Sequence, residues 1–194
     1  MKSDVDTAPK GSVTDRLAGW RFEACTVRVR LVQGLSLLST GLLAGAFGYG
    51  AANLVPTFNS VPVGMRLDFH AELMRMNGIT VQGAMAVSIL SSLALAALAR
   101  GRARALAGAA GTLTLASFLI TRFGNVPING RIKQWAATAP PADHAEVLRR
   151  WELFNNARTL TAATAFVLLA VLALGRADRP GQVEGVRARP VVCD

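Results

Sequence analysis

At 194 residues, 52% of them hydrophobic and only 17% charged, the chain is too apolar for an ordinary soluble domain and too rich in Ala, Leu and Gly for a disordered one. The mean hydropathy of +0.36 and the single-domain length point to a small membrane protein. A net charge of +9 would suit nucleic acid only if it formed a basic, aromatic-bearing face; here Lys and Arg cluster beside apolar runs instead, which argues against a nucleic-acid partner.

In chain order, residues 1–12 (MKSDVDTAPKGS) are polar, contain Pro and Gly, and are expected to be disordered. Residues 13–30 mix four Arg with Leu17, Trp20, Phe22, Val27 and Val29, and read as a basic interfacial segment with Trp20 and Phe22 at headgroup level. A polar lead of this length is long for a cleaved signal peptide. Cys25 and Cys193 fall in no CxxC pair and read as bystanders.

Four apolar runs follow, and the expected fold is all-α, a four-helix transmembrane bundle. The expected helices cover about residues 31–54, 79–99, 103–123 and 151–175, the last being short at its apolar centre, 158–175, and extended upstream through Trp151. They form a membrane domain over 31–175, between the N-terminal segment 1–30 and a basic, disordered tail, 176–194. Gly41 and Gly45 make a GxxxG that permits close helix packing. Lys and Arg orient the bundle: thirteen lie before Leu31, at 100–104 and after Gly175, against six in the 55–78 and 124–157 stretches. Both termini are therefore expected in the cytoplasm and both long loops outside, in a bacterial-type inner membrane on the outer face.

Those two loops resemble each other. Asn53-Leu-Val-Pro56 follows the first helix and Asn125-Val-Pro127 the third; His70-Ala-Glu precedes the second helix and His144-Ala-Glu the fourth. The pattern suggests two repeated hairpins with pseudo-twofold symmetry about the membrane normal. Each Pro is expected to end a helix, with Asn hydrogen-bonding the carbonyls left free, and Asp143-x-x-Glu146 to form a capping box.

One stripe carries the chemistry. His144, Leu148, Trp151, Asn155 and Arg158 share a helical face by their 4-3-4-3 spacing, as do His70, Met74, Asn77, Val81 and Ala84. Polar groups within a bilayer face an interior or a cavity. The sequence holds no GxSxG, HExxH, Walker loop or dinucleotide fingerprint. His70 and His144, with nearby Asp68, Glu72, Asp143 and Glu146, could bind a metal only if the repeats brought them together.

The block NVPINGRIKQW followed by RRWELFNNARTLTAATAFVLLAVL resembles the anthrone oxygenase-like family of small four-helix integral membrane proteins. The residues matching its pattern are Asn125, Pro127, Asn129, Trp135, Trp151, Asn155 or Asn156, and Arg158, with Pro56 and Asn77 fitting its first half. The resemblance implies oxidation of an anthrone- or hydroquinone-like aromatic substrate by O2 with no metal or flavin. Chemically, a base removes an activated C–H proton, donors stabilise the enolate, and the electron-rich ring reacts with O2 directly. The expected site therefore has His70 as base, Asn155 and Arg158 as donors, and Asn77, Asn125, Asn129, Trp135 and Trp151 around the substrate. The expected partners are the apolar aromatic molecule, O2 and the lipid bilayer. The competing reading is a non-catalytic small membrane protein, either a small-molecule binder or a transport or assembly accessory. A cavity gathering Trp, Asn, His and Arg would separate the two. An ion path is poorly supplied, since the cytoplasmic half offers only Gln33, Ser36, Ser88, Ser91, Ser92 and Thr112.

Overall fold

The computed structural model describes residues 13–177, with side chains described for residues 26–175. The expectations for 1–12 and for the tail beyond Ala177, and those for Trp20, Phe22, Cys25 and Cys193, lie outside these described residues. Four long helices, α1 (Val13–Tyr49), α3 (Val63–Leu98), α4 (Gly101–Ile120) and α6 (His144–Ala177), form a bundle. Two short helices, α2 (Val55–Ser60) and α5 (Val126–Ala137), continue α1 and α4 at one end. α1 packs on α3 and α6, and α4 packs on α3 and α6, closing a ring; α5 lies against α3. The chain is all-helical over the described residues, with four helices long and apolar enough to cross a membrane.

Composition is reversed relative to a soluble bundle. Large apolar residues point outward: Leu31, Leu38, Leu42, Leu90, Leu160 and Leu174 are all exposed. The interior is small and weakly polar, with Ala107, Ala110, Ala162, Ala165, Ser36, Ser88, Ser92, Thr114 and Ser117 buried. Small side chains let helices approach closely, and outward Leu gains nothing by turning away from lipid. Some hydroxyls are satisfied locally: Ser88 Oγ donates to the Ala84 carbonyl and Thr114 Oγ1 to that of Ala110, while Ser117 Oγ donates across to the Arg158 carbonyl of α6. Ser36 and Ser92 join α1 to α3 by a 2.9 Å hydrogen bond. Of the GxxxG pair, only Gly41 meets a neighbour, Phe166 of α6; Gly45 faces open space.

The helices outrun the apolar runs. At 36 residues α3 is about 54 Å long, against about 30 Å of hydrocarbon. The stretch 55–78, expected as a loop, is α2 followed by the first turns of α3, and most of 124–157 is α5 and the start of α6. Only 61–62 and 138–143 remain non-helical there. Residues 63–78 contain no Pro and are rich in helix-favouring Met, Leu, Glu and Arg, so nothing stops the helix at the lipid boundary.

The prolines also act differently from expectation. Neither ends its helix. Each follows a five-residue π-helix, Gly50–Leu54 or Thr121–Asn125, and sits in the first turn of the next α-helix. Val55 N–H donates to Gly50 O and Val126 N–H to Thr121 O, the wider π pattern. The widened turn accommodates a ring that lacks an N–H and clashes with the preceding turn. Relative to the Val-Pro dipeptides, Leu54, not Asn53, stands where Asn125 stands. The two His-Ala-Glu triplets are not equivalently placed either: His144 opens α6, whereas His70 lies two turns inside α3. The cause is α5, which at 12 residues is twice the length of α2 and delays the return.

At the opposite end, α3 turns into α4 through Ala99 and Arg100 alone. Gly101, at φ 57°, takes a conformation that side chains disfavour. Arg104 Nε donates to Ala99 O at 2.9 Å, closing the carbonyl end of α3. Three apolar layers stack along the bundle: Leu95, Ala107, Ala165 and Leu169 near this turn; Leu43, Phe47, Met85 and Ala162 in the middle; and Leu67, Ile128, Ile132, Trp135, Leu148 and Trp151 near the prolines.

Candidate functional site

Between the middle layer and the proline-end layer, the bundle encloses polar groups that the apolar layers do not explain. Trp151 is their centre. Buried on α6, it meets the imidazole of His70 edge-on, with ring centroids 4.5 Å apart. Its indole N–H donates to Asn129 Oδ1 at 2.7 Å, and its backbone carbonyl accepts from Asn125 Nδ2 at 3.1 Å. The π-turn is what brings Asn125 here. It ends on that residue and turns it inward, fully buried. Asn125 therefore stitches α4 to α6; it does not cap its own helix. Asp143 likewise forms no side-chain capping box, its carboxylate lying 3.9 Å from Arg131 instead.

His70 is fully buried between two aromatic rings, Trp151 and Phe58, the latter stacked at 5.1 Å and 18°. Among the described residues neither of its ring nitrogens has a partner in hydrogen-bonding geometry, although the Asn129 side chain lies close to the ring. Asn129, Arg66 and Arg158 lie within interaction range of the imidazole. A buried, unpaired imidazole is costly to maintain, so its retention requires an explanation beyond packing.

One turn below Trp151, Asn155 and Arg158 form a pair. Asn155 Oδ1 accepts from Arg158 Nε at 3.2 Å and from a terminal guanidinium nitrogen at 2.8 Å. The guanidinium also lies 4.3 Å over the Phe47 ring of α1. Arg158 is thus matched by an amide and an aromatic face, with no carboxylate within ion-pair distance among the described residues. Asn155 Nδ2 and Asn125 Oδ1, both buried, have no partner among the described residues. A cation, a spare N–H donor and an unpaired imidazole therefore share one interior region. Such a set can hold and polarise an oxygen bearing negative charge.

The other expected site residues are placed less simply. Trp135 is buried in the proline-end apolar layer, with the Arg131 guanidinium 5.1 Å from its ring, and packs there with Ile128 and Ile132. Asn77 is half-buried on α3 and takes no part in the Trp151 network. His144 is apart from His70: its Nδ1 lies 2.7 Å from Pro141 O at the start of α6. Among the described residues, no three His, Cys, Asp or Glu side chains cluster to hold a metal ion.

A cleft of about 370 Å3 opens beside α2; of the residues expected to bind or act on substrate none lines it, while His144, expected only as a possible metal ligand, does. Its walls include Phe58, Asn59, Arg66, His144, Leu148 and Glu152. Arg66 is buried and bonds Glu152 of α6 at 2.9 Å and Asn59 of α2. The sequence reading missed Phe58, Asn59, Arg66 and Glu152. Alignment of the two loops on Val-Pro instead of Asn-Pro would have set Phe58 opposite Asn129, the two residues that touch the central rings.

A family model described as Anthrone oxygenase matches residues 71–168, just over half the chain. The match contains Asn77, Asn125, Asn129, Trp135, Trp151, Asn155 and Arg158, while His70 stands one residue before it. No curated protein and no solved structure matches the chain.

Proposed function

Because the chain belongs to the anthrone oxygenase family, we propose that it is a membrane-embedded oxygenase that oxidises an anthrone- or hydroquinone-like aromatic substrate with O2, using no metal or flavin. The observation that carries this reading is His70, enclosed by Phe58 and Trp151 with both ring nitrogens unpaired. A neutral imidazole is a competent base, and flat aromatic walls suit a polycyclic substrate.

In this account His70 takes one proton from the activated methylene, and the electron pair left behind delocalises onto the ring oxygen as an enolate. Asn155 Nδ2 and the Arg158 guanidinium, which has no carboxylate partner, supply the stabilising N–H groups. The enolate carbon then bonds to O2, giving a hydroperoxide once protonated. Loss of the second C–H proton with O–O cleavage leaves a carbonyl and releases water, so one O2 takes four electrons from the methylene. A hydroquinone would instead lose two electrons and two protons and yield hydrogen peroxide. The charge bias of the loops supports a reading in which the proline end lies outside a bacterial-type inner membrane.

A non-catalytic small-molecule binder remains the second reading. It is favoured by the described cleft, whose lining includes none of His70, Trp151, Asn155 and Arg158. Purification in detergent, metal and absorbance analysis, and oxygen uptake with a panel of anthrones and hydroquinones test the choice. Substrate-dependent uptake with quinone formation supports the oxygenase; saturable binding without uptake supports the binder.

A further inference from the structure

Phe58, itself buried, stacks on His70 at 5.1 Å, meets Phe69 edge-on at 5.9 Å, and is also among the residues that line the cleft. It therefore touches both the buried imidazole and the cleft, which His70 itself does not line. Phe58 sits on α2, a six-residue helix between a π-turn of small residues (Gly50, Ala51, Ala52) and the Val61-Pro62 break. α2 is held by Phe58, by Val55, which is buried in the proline-end layer next to the π-turn, and by a polar latch, the bond from the buried Arg66 to Asn59, an exposed residue. Arg66 keeps its Glu152 partner when that bond is released, so opening strands no buried charge.

We propose that this cleft is the binding site through which a flat, phenolic aromatic molecule reaches His70, with Phe58 as the partition that swings aside on α2. The ligand class rests on the oxygenase reading above; the route rests on geometry alone. A volume of about 370 Å3 lies within the range of small-molecule sites. Phe58 and Leu148 offer apolar walls; Arg66 offers N–H groups for a phenol or phenolate oxygen, and His144, whose Nδ1 faces Pro141 O, offers its other ring nitrogen as acceptor for a phenol O–H. Once Phe58 leaves, the ligand's own ring takes its place against the imidazole.

Carbethoxylation of the two histidines of the full-length, detergent-purified protein, mapped by peptide mass spectrometry, tests this without turnover. In the wild type, His144 on the cleft wall should react and His70 should lag. Asn59→Ala, which removes an exposed side chain, should speed His70 by about tenfold, as expected for loss of one charge-assisted hydrogen bond, and leave His144 unchanged. Phe58→Ala should speed it further. A dihydroxyanthraquinone added to the wild type should protect His144. An unchanged His70 rate in Asn59→Ala protein that elutes as the wild type does, or no protection of His144, overturns the proposal. If the histidines behave as stated while no anthrone is oxidised, the oxygenase reading fails and the route stands.

Discussion

At the scale of single residues, Arg158 and Asn155 are decisive. A guanidinium in the bundle interior is costly, and here, among the described residues, an amide oxygen and the Phe47 ring hold it. Asn155→Ala and Arg158→Ala should each lower turnover by about 10²–10³ while the helical content by circular dichroism stays that of the wild type. Loss of fold in both would assign them to structure alone. Trp151→Phe tests the scaffold around them. It keeps an aromatic edge against His70 but leaves the Asn129 carbonyl oxygen without its donor. We expect a loss of about 1–3 kcal/mol in stability, seen as a lower melting temperature in detergent. An unchanged melting temperature would mean that the Trp151–Asn129 bond holds nothing.

At the scale of elements, the π-turns determine what the site can be. The second one presses Gly124 against Phe154 of α6 so closely that a Cβ there would lie 2.6 Å from the ring. Gly124→Ala should therefore cost about 1–3 kcal/mol and weaken the Asn125–Trp151 contact next to it. Gly45→Ala, with open space around it, should stay within about 1 kcal/mol of the wild type. Equal thermal stability of the two variants would contradict this packing. The same elements show what could be read from the sequence. Helical spacing placed Leu148, Trp151 and Asn155 on one buried face of α6, because periodicity reports the face a helix presents. It could not show that Pro56 and Pro127 would be carried through π-turns, since a Pro that breaks a helix and one that widens it look alike. Nor did it reveal Arg66–Glu152, a pair 86 residues apart that only tertiary packing joins.

At the scale of the molecule, hydropathy and outward-facing Leu make the chain an integral membrane protein of four crossing helices. Where Lys and Arg accumulate predicts an orientation with both termini inside and the proline end outside. Single cysteines at Ser60, the exposed last residue of α2, and Ala139, exposed in the break before α6, should react with an impermeant thiol reagent on intact cells when Cys25 and Cys193 are replaced. Reaction only after permeabilisation would reverse the topology. On the predicted orientation the polar interior would lie toward the outer leaflet, where apolar aromatic molecules and O2 both partition.

The claim on which these scales converge is that His70 takes a proton from an aromatic substrate that then reacts with O2. The most direct test is anthrone-dependent oxygen uptake by the purified protein, compared with that of a folded His70→Gln variant. The account predicts about one O2 consumed per anthrone by the wild type, and a rate about 10²–10⁴ lower in the variant, the usual contribution of a positioned base. Equal uptake by the two proteins would contradict it.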